Sequence, residues 1–146
     1  MRNVAMNRPD IAPEQLERTR ELMDAHVHDC LVEGYESLIP AINLPDDDDR
    51  HVLAAAIVAG ADVIVTYNLK DFPDEKLNSY GIEAQHPDEF LTHLIDLAPS
   101  RVCAATAGIR SRLRKPPKTA AEYIDTLEQQ QLPHTASVLR NFEDQL

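Results

Sequence analysis

Residues 44–73 read LPDDDDRHVLAAAIVAGADVIVTYNLKDFP, and this stretch decides the class of fold. A proline and four aspartates precede an alanine-rich apolar segment that ends at Gly60, which is typical of a helix with an acidic start. Residues 62–66 are rich in β-branched side chains and predict a short strand that is apolar on both faces. Because the helical segment is apolar nearly all round, we expect it to be buried.

The segments on either side continue this alternation. Residues 13–30 predict a helix, residues 31–34 and 81–84 predict short strands, and a further helix is predicted from residue 86 onward. This order of helices and strands indicates an α/β domain with a parallel sheet and flanking helices. Ligands of such sheets bind beyond the carboxyl ends of the strands, and Asn68 and Asp71 fall there.

After Pro99 the pattern changes to helices alone. Residues 101–113 and 135–142 predict helices, and Thr119 and Glu122 have the spacing of a capping box at the start of a helix between them. The prolines of KPPK, residues 115–118, predict a linker. We therefore divide the chain into a sheet domain, residues 1–98, and a small C-terminal helical subdomain, residues 99–146.

The charge of the chain is uneven. The 146 residues carry a net charge of −11, which argues against broad binding to a DNA backbone. Residues 101–118 nevertheless contain six basic residues and no acidic ones. Such a patch fits a phosphate backbone or an acidic partner, and a solvated helix face is the alternative.

The sequence shows no apolar run long enough to cross a membrane and no secretory signal, so a cytoplasmic protein is expected. Its two cysteines, Cys30 and Cys103, are far apart in the chain. Reduced thiols are therefore the expected state.

The four aspartates at residues 46–49 allow more than one interpretation. They suit the N-terminus of a helix, but capping uses only one or two of them and the rest repel each other. A calcium-binding loop is excluded, because its glycine position would hold His51 and its glutamate position Ile57. Carboxylates such as Asp49 and Asp71 suit Mg²⁺ or Mn²⁺. We expect the helix start and the end of the following strand at opposite ends of one αβ unit, so spacing alone does not bring these two together.

Several of these residues carry a resemblance to the PIN-domain nucleases, in particular the VapC-like toxins of bacterial toxin–antitoxin pairs. In that family an aspartate opens an alanine-rich helix, and a strand ending in threonine leads into T-x-N/D-x-x-D-F. The matching residues here are Asp49, Ala54, Ala55, Ala56, Thr66, Asn68, Asp71 and Phe72. The C-terminal part, with RSRLRKPP at residues 110–117, is similar to the helical extension of VapC50-like proteins.

The resemblance implies a PIN-like, Rossmann-like fold and an endoribonuclease that depends on Mg²⁺ or Mn²⁺. Asp49 and Asp71 would be metal ligands, and Asn68, the polar residue at the edge of the site, would act beside them as a third catalytic residue. Thr66 would supply a hydroxyl that supports it. RNA and a cognate antitoxin protein would be the partners, and the family also allows a homodimer.

PIN domains begin with an apolar strand that ends in an aspartate, and residues 1–13 do not show that pattern. We therefore expect a sheet that is incomplete at its N-terminal end. The alternative function is that of a non-catalytic PIN remnant that acts by binding an antitoxin.

Overall fold

The computed structural model describes residues 12–27 and 29–146. Its helices are α1 (Pro13–His26), α2 (Arg50–Ala59), α3 (Asp74–Leu77), α4 (Pro87–Leu97), α5 (Pro99–Arg112), α6 (Ala120–Gln129) and α7 (Pro133–Arg140), and its strands are β1 (Val63–Val65) and β2 (Glu83–Gln85). Tight 3₁₀ turns lie at Glu36–Ala41, Asp47–Asp49, Leu69–Asp71, Asn78–Tyr80 and Glu143–Gln145. The prediction about a missing first strand concerns residues that lie outside the described ones.

The helix and strand predicted from residues 44–73 are confirmed as α2 and β1. Gly60 ends α2 in a left-handed conformation with φ of 64°, a geometry that costs glycine little. The chain then reverses into β1, which pairs in parallel with β2 so that Ile64 lies opposite Ala84. Within the described part of the chain this makes a helix-rich α/β fold with a two-stranded parallel sheet.

Two apolar clusters form the core. The first joins α2 to the sheet and consists of Ile42, Leu44, Leu53, Ala54, Ile64, Phe72, Leu77 and Ile82. The second joins the C-terminal helices and consists of Ile95, Cys103, Ile124, Ala136, Leu139 and Leu146. Because α4 contributes Ile95 to the second cluster, that helix packs with the helices that follow it. The domain boundary at residues 98–99 stays a prediction.

The C-terminal helices are held together by polar contacts as well. Thr119 and Glu122 form the predicted capping box of α6, with each side chain bonded to the other residue's backbone N–H. Arg110 donates hydrogen bonds from its guanidinium to the backbone oxygens of Leu146, at 2.6 Å, and Lys118, at 3.0 Å. Arg110, one residue of the basic patch, therefore helps to hold the C-terminal helices together.

Some of the predicted local structure is wrong. Residues 31–34 form no strand, and the last helix begins at Pro133 rather than at residue 135. The helix α2 and the strand β1 are not covered on all sides, since Val58 is 44% exposed and Val65 is 43% exposed. The physical reason is that β1 has one paired neighbour among the described residues, so the apolar surface beyond that pair has no covering layer there.

A candidate metal centre of three aspartates

Three carboxylates meet beyond the carboxyl end of β1. One oxygen atom from each of Asp46, Asp49 and Asp71 lies within 4.8 Å of the other two. Asp46 precedes the 3₁₀ turn before α2, Asp49 is the residue before the first turn of α2, and Asp71 ends the 3₁₀ turn after β1. Asp49 and Asp71 are half-buried, and Asp46 is exposed.

The expectation that the start of α2 and the end of β1 lie at opposite ends was wrong. The chain reverses at Gly60, so β1 runs back alongside α2 and its end returns to the level of the helix start. A helix of ten residues is about 15 Å long, and the segment of residues 61–66 that contains β1 can cover a similar length. The αβ unit therefore brings Asp49 and Asp71 together by its own geometry.

Two aspartates of the run, Asp46 and Asp49, differ in their hydrogen bonds. The carboxylate of Asp46 accepts a hydrogen bond of 2.9 Å from the backbone N–H of Asp48 and so caps the 3₁₀ turn. Asp49 occupies the N-cap position of α2, but its side chain makes no capping hydrogen bond. Its carboxylate is therefore available to the cluster. The role of Asp46 could not be predicted from the sequence, because four identical neighbours offer no signal to tell them apart.

The carboxylate of Asp71 is held in place by the residues before it. The side-chain amide of Asn68 donates a hydrogen bond to Asp71 Oδ2. The backbone N–H of Asn68 in turn donates to the hydroxyl of Thr66 at 3.0 Å. Asn68 thus contacts one member of the cluster, and the hydroxyl of Thr66 contacts Asn68. The catalytic and metal-binding roles of Asp49, Asn68 and Asp71 stay predictions.

The cluster is electrostatically unfavourable as it stands. Burial raises the pKa of Asp49, and the neighbouring carboxylates of Asp46 and Asp71 raise it further, while His51 opposes them. A divalent cation would remove this repulsion, and carboxylate oxygens at this spacing are the donors that Mg²⁺ and Mn²⁺ prefer. The donor set therefore fits the ion that the resemblance implies.

We expect Asp49→Asn to stabilise the metal-free protein slightly. Asparagine suits an N-cap position as well as aspartate does, so the substitution removes repulsion without removing a cap. The free energy of unfolding in the presence of a chelator should rise by roughly a few tenths of a kcal/mol, the cost of one like-charge pair on a helix, and the melting temperature should rise with it. The control is Asp62→Asn, since Asp62 is an exposed aspartate before β1. A lower melting temperature for Asp49→Asn alone would mean that this carboxylate supports the fold.

The turn beside the cluster is tied to the C-terminal helices by Tyr67. Its hydroxyl donates a hydrogen bond of 3.2 Å to the backbone oxygen of Gln130, which ends α6. Its ring meets the ring of His86 edge to face, with the centroids 5.0 Å apart. Sequence reasoning did not find this link, because Gln130 is 63 positions away and no local pattern marks the pair.

A second unpredicted contact joins α4 to α7. Asp88 is 4% exposed, and its carboxylate accepts hydrogen bonds from the backbone N–H groups of His134, at 3.0 Å, and Thr135, at 2.8 Å. It also accepts one from Nδ1 of His134 at 2.9 Å. Burial alone would raise the pKa of Asp88, but these bonds outweigh burial and lower it from 3.8 to about 2. Asp88 therefore caps the first turn of α7 from another helix.

The C-terminal half matches a known family. Residues 87–141 match the family model of the VapC50 C-terminal domain. The curated protein named "Putative ribonuclease VapC50", from Mycobacterium tuberculosis (strain ATCC 25618 / H37Rv), is 43% identical over 109 residues, which cover 75% of this chain and 64% of the relative. Both matches support a VapC-like protein that is similar to VapC50. No solved structure matches it.

The match to VapC50 extends beyond the C-terminal helices. An aligned span of 109 residues necessarily includes the middle of the 146-residue chain, where the three aspartates lie. The chain spans 64% of the length of that relative. Among the residues that the structure describes, no helix is both long and apolar enough to cross a membrane.

Proposed function

We propose that this VapC50-like chain is a metal-dependent endoribonuclease of the PIN type. The observation that supports the proposal best is the meeting of Asp46, Asp49 and Asp71, with one oxygen from each within 4.8 Å of the others. The relative whose name describes a ribonuclease supports RNA as the substrate. Asp49 and Asp71 would hold Mg²⁺ or Mn²⁺, and Asp46 is a third carboxylate that the geometry adds.

The chemistry of such a site divides between the ion and the chain. When bound, a divalent ion lowers the pKa of water and offsets the negative charge on a phosphate. The chain's own residues fix the carboxylates: Asn68 orients Asp71, and the hydroxyl of Thr66 orients Asn68. The position of Asp49 is set by the first turn of α2. Side chains held in this way present their oxygens without having to reorganise when the ion binds.

The proposed partners follow from the same family. RNA is the substrate, and a cognate antitoxin protein is the partner that would control the activity. A cytoplasmic location and a homodimer stay predictions. The acidic body of the protein repels a phosphate backbone, so RNA must approach where cations offset that charge. The metal centre is one such place, and the exposed basic residues Arg112 and Arg114 are another.

An RNA cleavage assay tests the proposal. The protein is incubated with a labelled single-stranded RNA and Mn²⁺, and a parallel reaction contains an excess of chelator. Cleavage with Mn²⁺ and none with the chelator is the expected result. Cleavage that is insensitive to the chelator, or no cleavage together with retained binding to an antitoxin, would contradict the proposal. The second outcome would favour the non-catalytic alternative.

Charge reversal at Arg112 and Arg114 is expected to weaken RNA binding and to flatten its dependence on salt. Each phosphate contact to a single strand contributes about −0.7 to the slope of log affinity against log salt, so two lost contacts flatten it by roughly 1.4. The control carries the same change of charge at Arg18 and Arg20, which are exposed on α1. Equal losses in both double variants would show that only net charge matters and that residues 112–114 form a solvated face.

A further inference from the structure

A cavity of about 790 Å³ lies between the start of α4 and the turn that joins α6 to α7. The imidazoles of His86, His93 and His134 line it, together with the polar side chains of Thr92 and Gln131. Ligand pockets in proteins are typically of this size. None of these residues belongs to the aspartate cluster, so the cavity is a separate feature of the molecule.

Two of the three carboxylates around the cavity already have partners. Asp88 accepts hydrogen bonds from the first turn of α7, and Glu128 forms an ion pair with Arg140. Glu89 is exposed. A cavity with planar rings, an amide, a hydroxyl and one exposed carboxylate offers little to a phosphate group but suits a flat heterocycle with amino groups.

Two of the three rings are held in fixed positions. Nδ1 of His86 accepts a hydrogen bond from the backbone N–H of Asp88 at 3.1 Å, and its ring also packs against Tyr67. Nδ1 of His134 is bonded to the carboxylate of Asp88, yet 84% of the His134 side chain is exposed. The ring of His134 is therefore fixed at one edge and open to solvent elsewhere. Fixed rings lose little freedom when another ring stacks on them.

The cavity and the aspartate cluster are linked by a series of side-chain contacts. The ring of His86 contacts Tyr67, and Tyr67 is the neighbour of Asn68, whose amide is bonded to Asp71. Tyr67 and Asn68 therefore connect the cavity to the carboxylates through side-chain contacts.

We propose that the cavity lined by His86, His93 and His134 binds one unpaired base of the RNA, a short distance along the strand from the phosphate at the carboxylates. This inference rests on the proposed ribonuclease function. The base stacks on the imidazole faces, which is the usual way in which proteins hold splayed bases of single-stranded RNA. The carboxylate of Glu89 accepts hydrogen bonds from an exocyclic amino group, so bases that carry one, such as cytosine, are preferred to uracil.

Binding of free nucleosides tests the proposal without cleavage. Cytidine and uridine are titrated into the full chain in the presence of a chelator, and the histidine ring signals are followed by NMR. We expect the signals of His86 and His93 to shift, with dissociation constants on the order of 1 mM for cytidine and weaker binding of uridine. The signal of His26, on α1 and away from the cavity, should not move.

Two variants separate stacking from base preference. His93→Ala, at an exposed position, should weaken cytidine binding at least about fivefold, whereas the matched control His26→Ala should leave it unchanged. Glu89→Gln should reduce the preference for cytidine over uridine. The absence of nucleoside-dependent shifts, or equal binding by the wild-type protein and His93→Ala, would overturn the proposal.

A basic peptide is the other class of occupant, and N-acetylarginine amide serves as its probe. Shifts of the cavity histidines with this probe but not with nucleosides would overturn the base pocket in favour of a protein partner. The RNA cleavage assay is read separately. Cleavage without nucleoside binding contradicts the base pocket alone, and nucleoside binding without metal-dependent cleavage contradicts the ribonuclease function alone.

Discussion

Asp71→Asn is expected to lower Mn²⁺-dependent RNA cleavage by at least about 100-fold while the protein stays folded. A metal-held phosphate gains several kcal/mol of transition-state stabilisation, and loss of roughly 3 kcal/mol corresponds to this factor. The fold should survive, because the oxygen of an asparagine at position 71 can still accept the hydrogen bond from Asn68. The rate is measured at saturating RNA with increasing Mn²⁺, so that weaker metal binding and slower chemistry are distinguished.

The matched control for this substitution is Asp74→Asn. Asp74 is an exposed aspartate three residues further on, in the first turn of α3, and is not part of the cluster. The Asp74→Asn variant should cleave RNA at nearly the wild-type rate. Retained cleavage in Asp71→Asn, or equal losses in both variants, would remove Asp71 from the catalytic site.

Asp88→Ala is expected to lower the free energy of unfolding by about 3 kcal/mol. The substitution leaves the backbone N–H groups of His134 and Thr135 without their acceptor at the start of α7. Thr135 is buried, and an unsatisfied buried group costs about 1–3 kcal/mol. Urea unfolding measures the change. The control is Asp96→Ala, an exposed aspartate on the same helix, which should change stability little. Equal effects in the two variants would show that the cap contributes nothing specific.

The same carboxylate makes stability depend on pH in a stated direction. The pKa of Asp88 is about 2 in the folded protein and 3.8 ordinarily, so the ionised form is favoured by folding. The resulting stability, about 2 kcal/mol, is present above about pH 4 and is lost as the pH falls towards 2. Asp88→Ala should lack this part of the acid dependence. An identical acid profile in the variant would mean that other carboxylates govern it.

Short-range features of this fold could be predicted from the sequence. The helix α2, its glycine terminus, the strand β1 and the capping box of Thr119 and Glu122 each depend on residues that are near each other in the chain. The exposure of Val58 and Val65 could not be predicted, because it depends on how many strands lie beside β1. Local apolar character predicts what a segment can bury, and the neighbouring elements decide whether it does so.

The residues of the candidate site likewise include some that could be predicted from the sequence and some that could not. Asn68 and Asp71 are indicated by their position after a strand, the family resemblance adds Asp49, and the structure brings Asp49 and Asp71 together with Asp46. The role of Asp88 could not be predicted from the sequence, since its partners His134 and Thr135 are 46 and 47 positions away. No pattern within α4 indicates that Asp88 contacts the start of a helix that far along the chain.

The central claim is that the three aspartates form one divalent metal site, and calorimetric titration with Mn²⁺ near neutral pH tests it most directly. One ion per chain is expected for the wild-type protein. Asp49→Asn and Asp71→Asn should each bind at least about tenfold more weakly, because each removes one charged ligand. Binding of equal strength in the wild-type protein and both variants, or no binding in any of them, would contradict the claim.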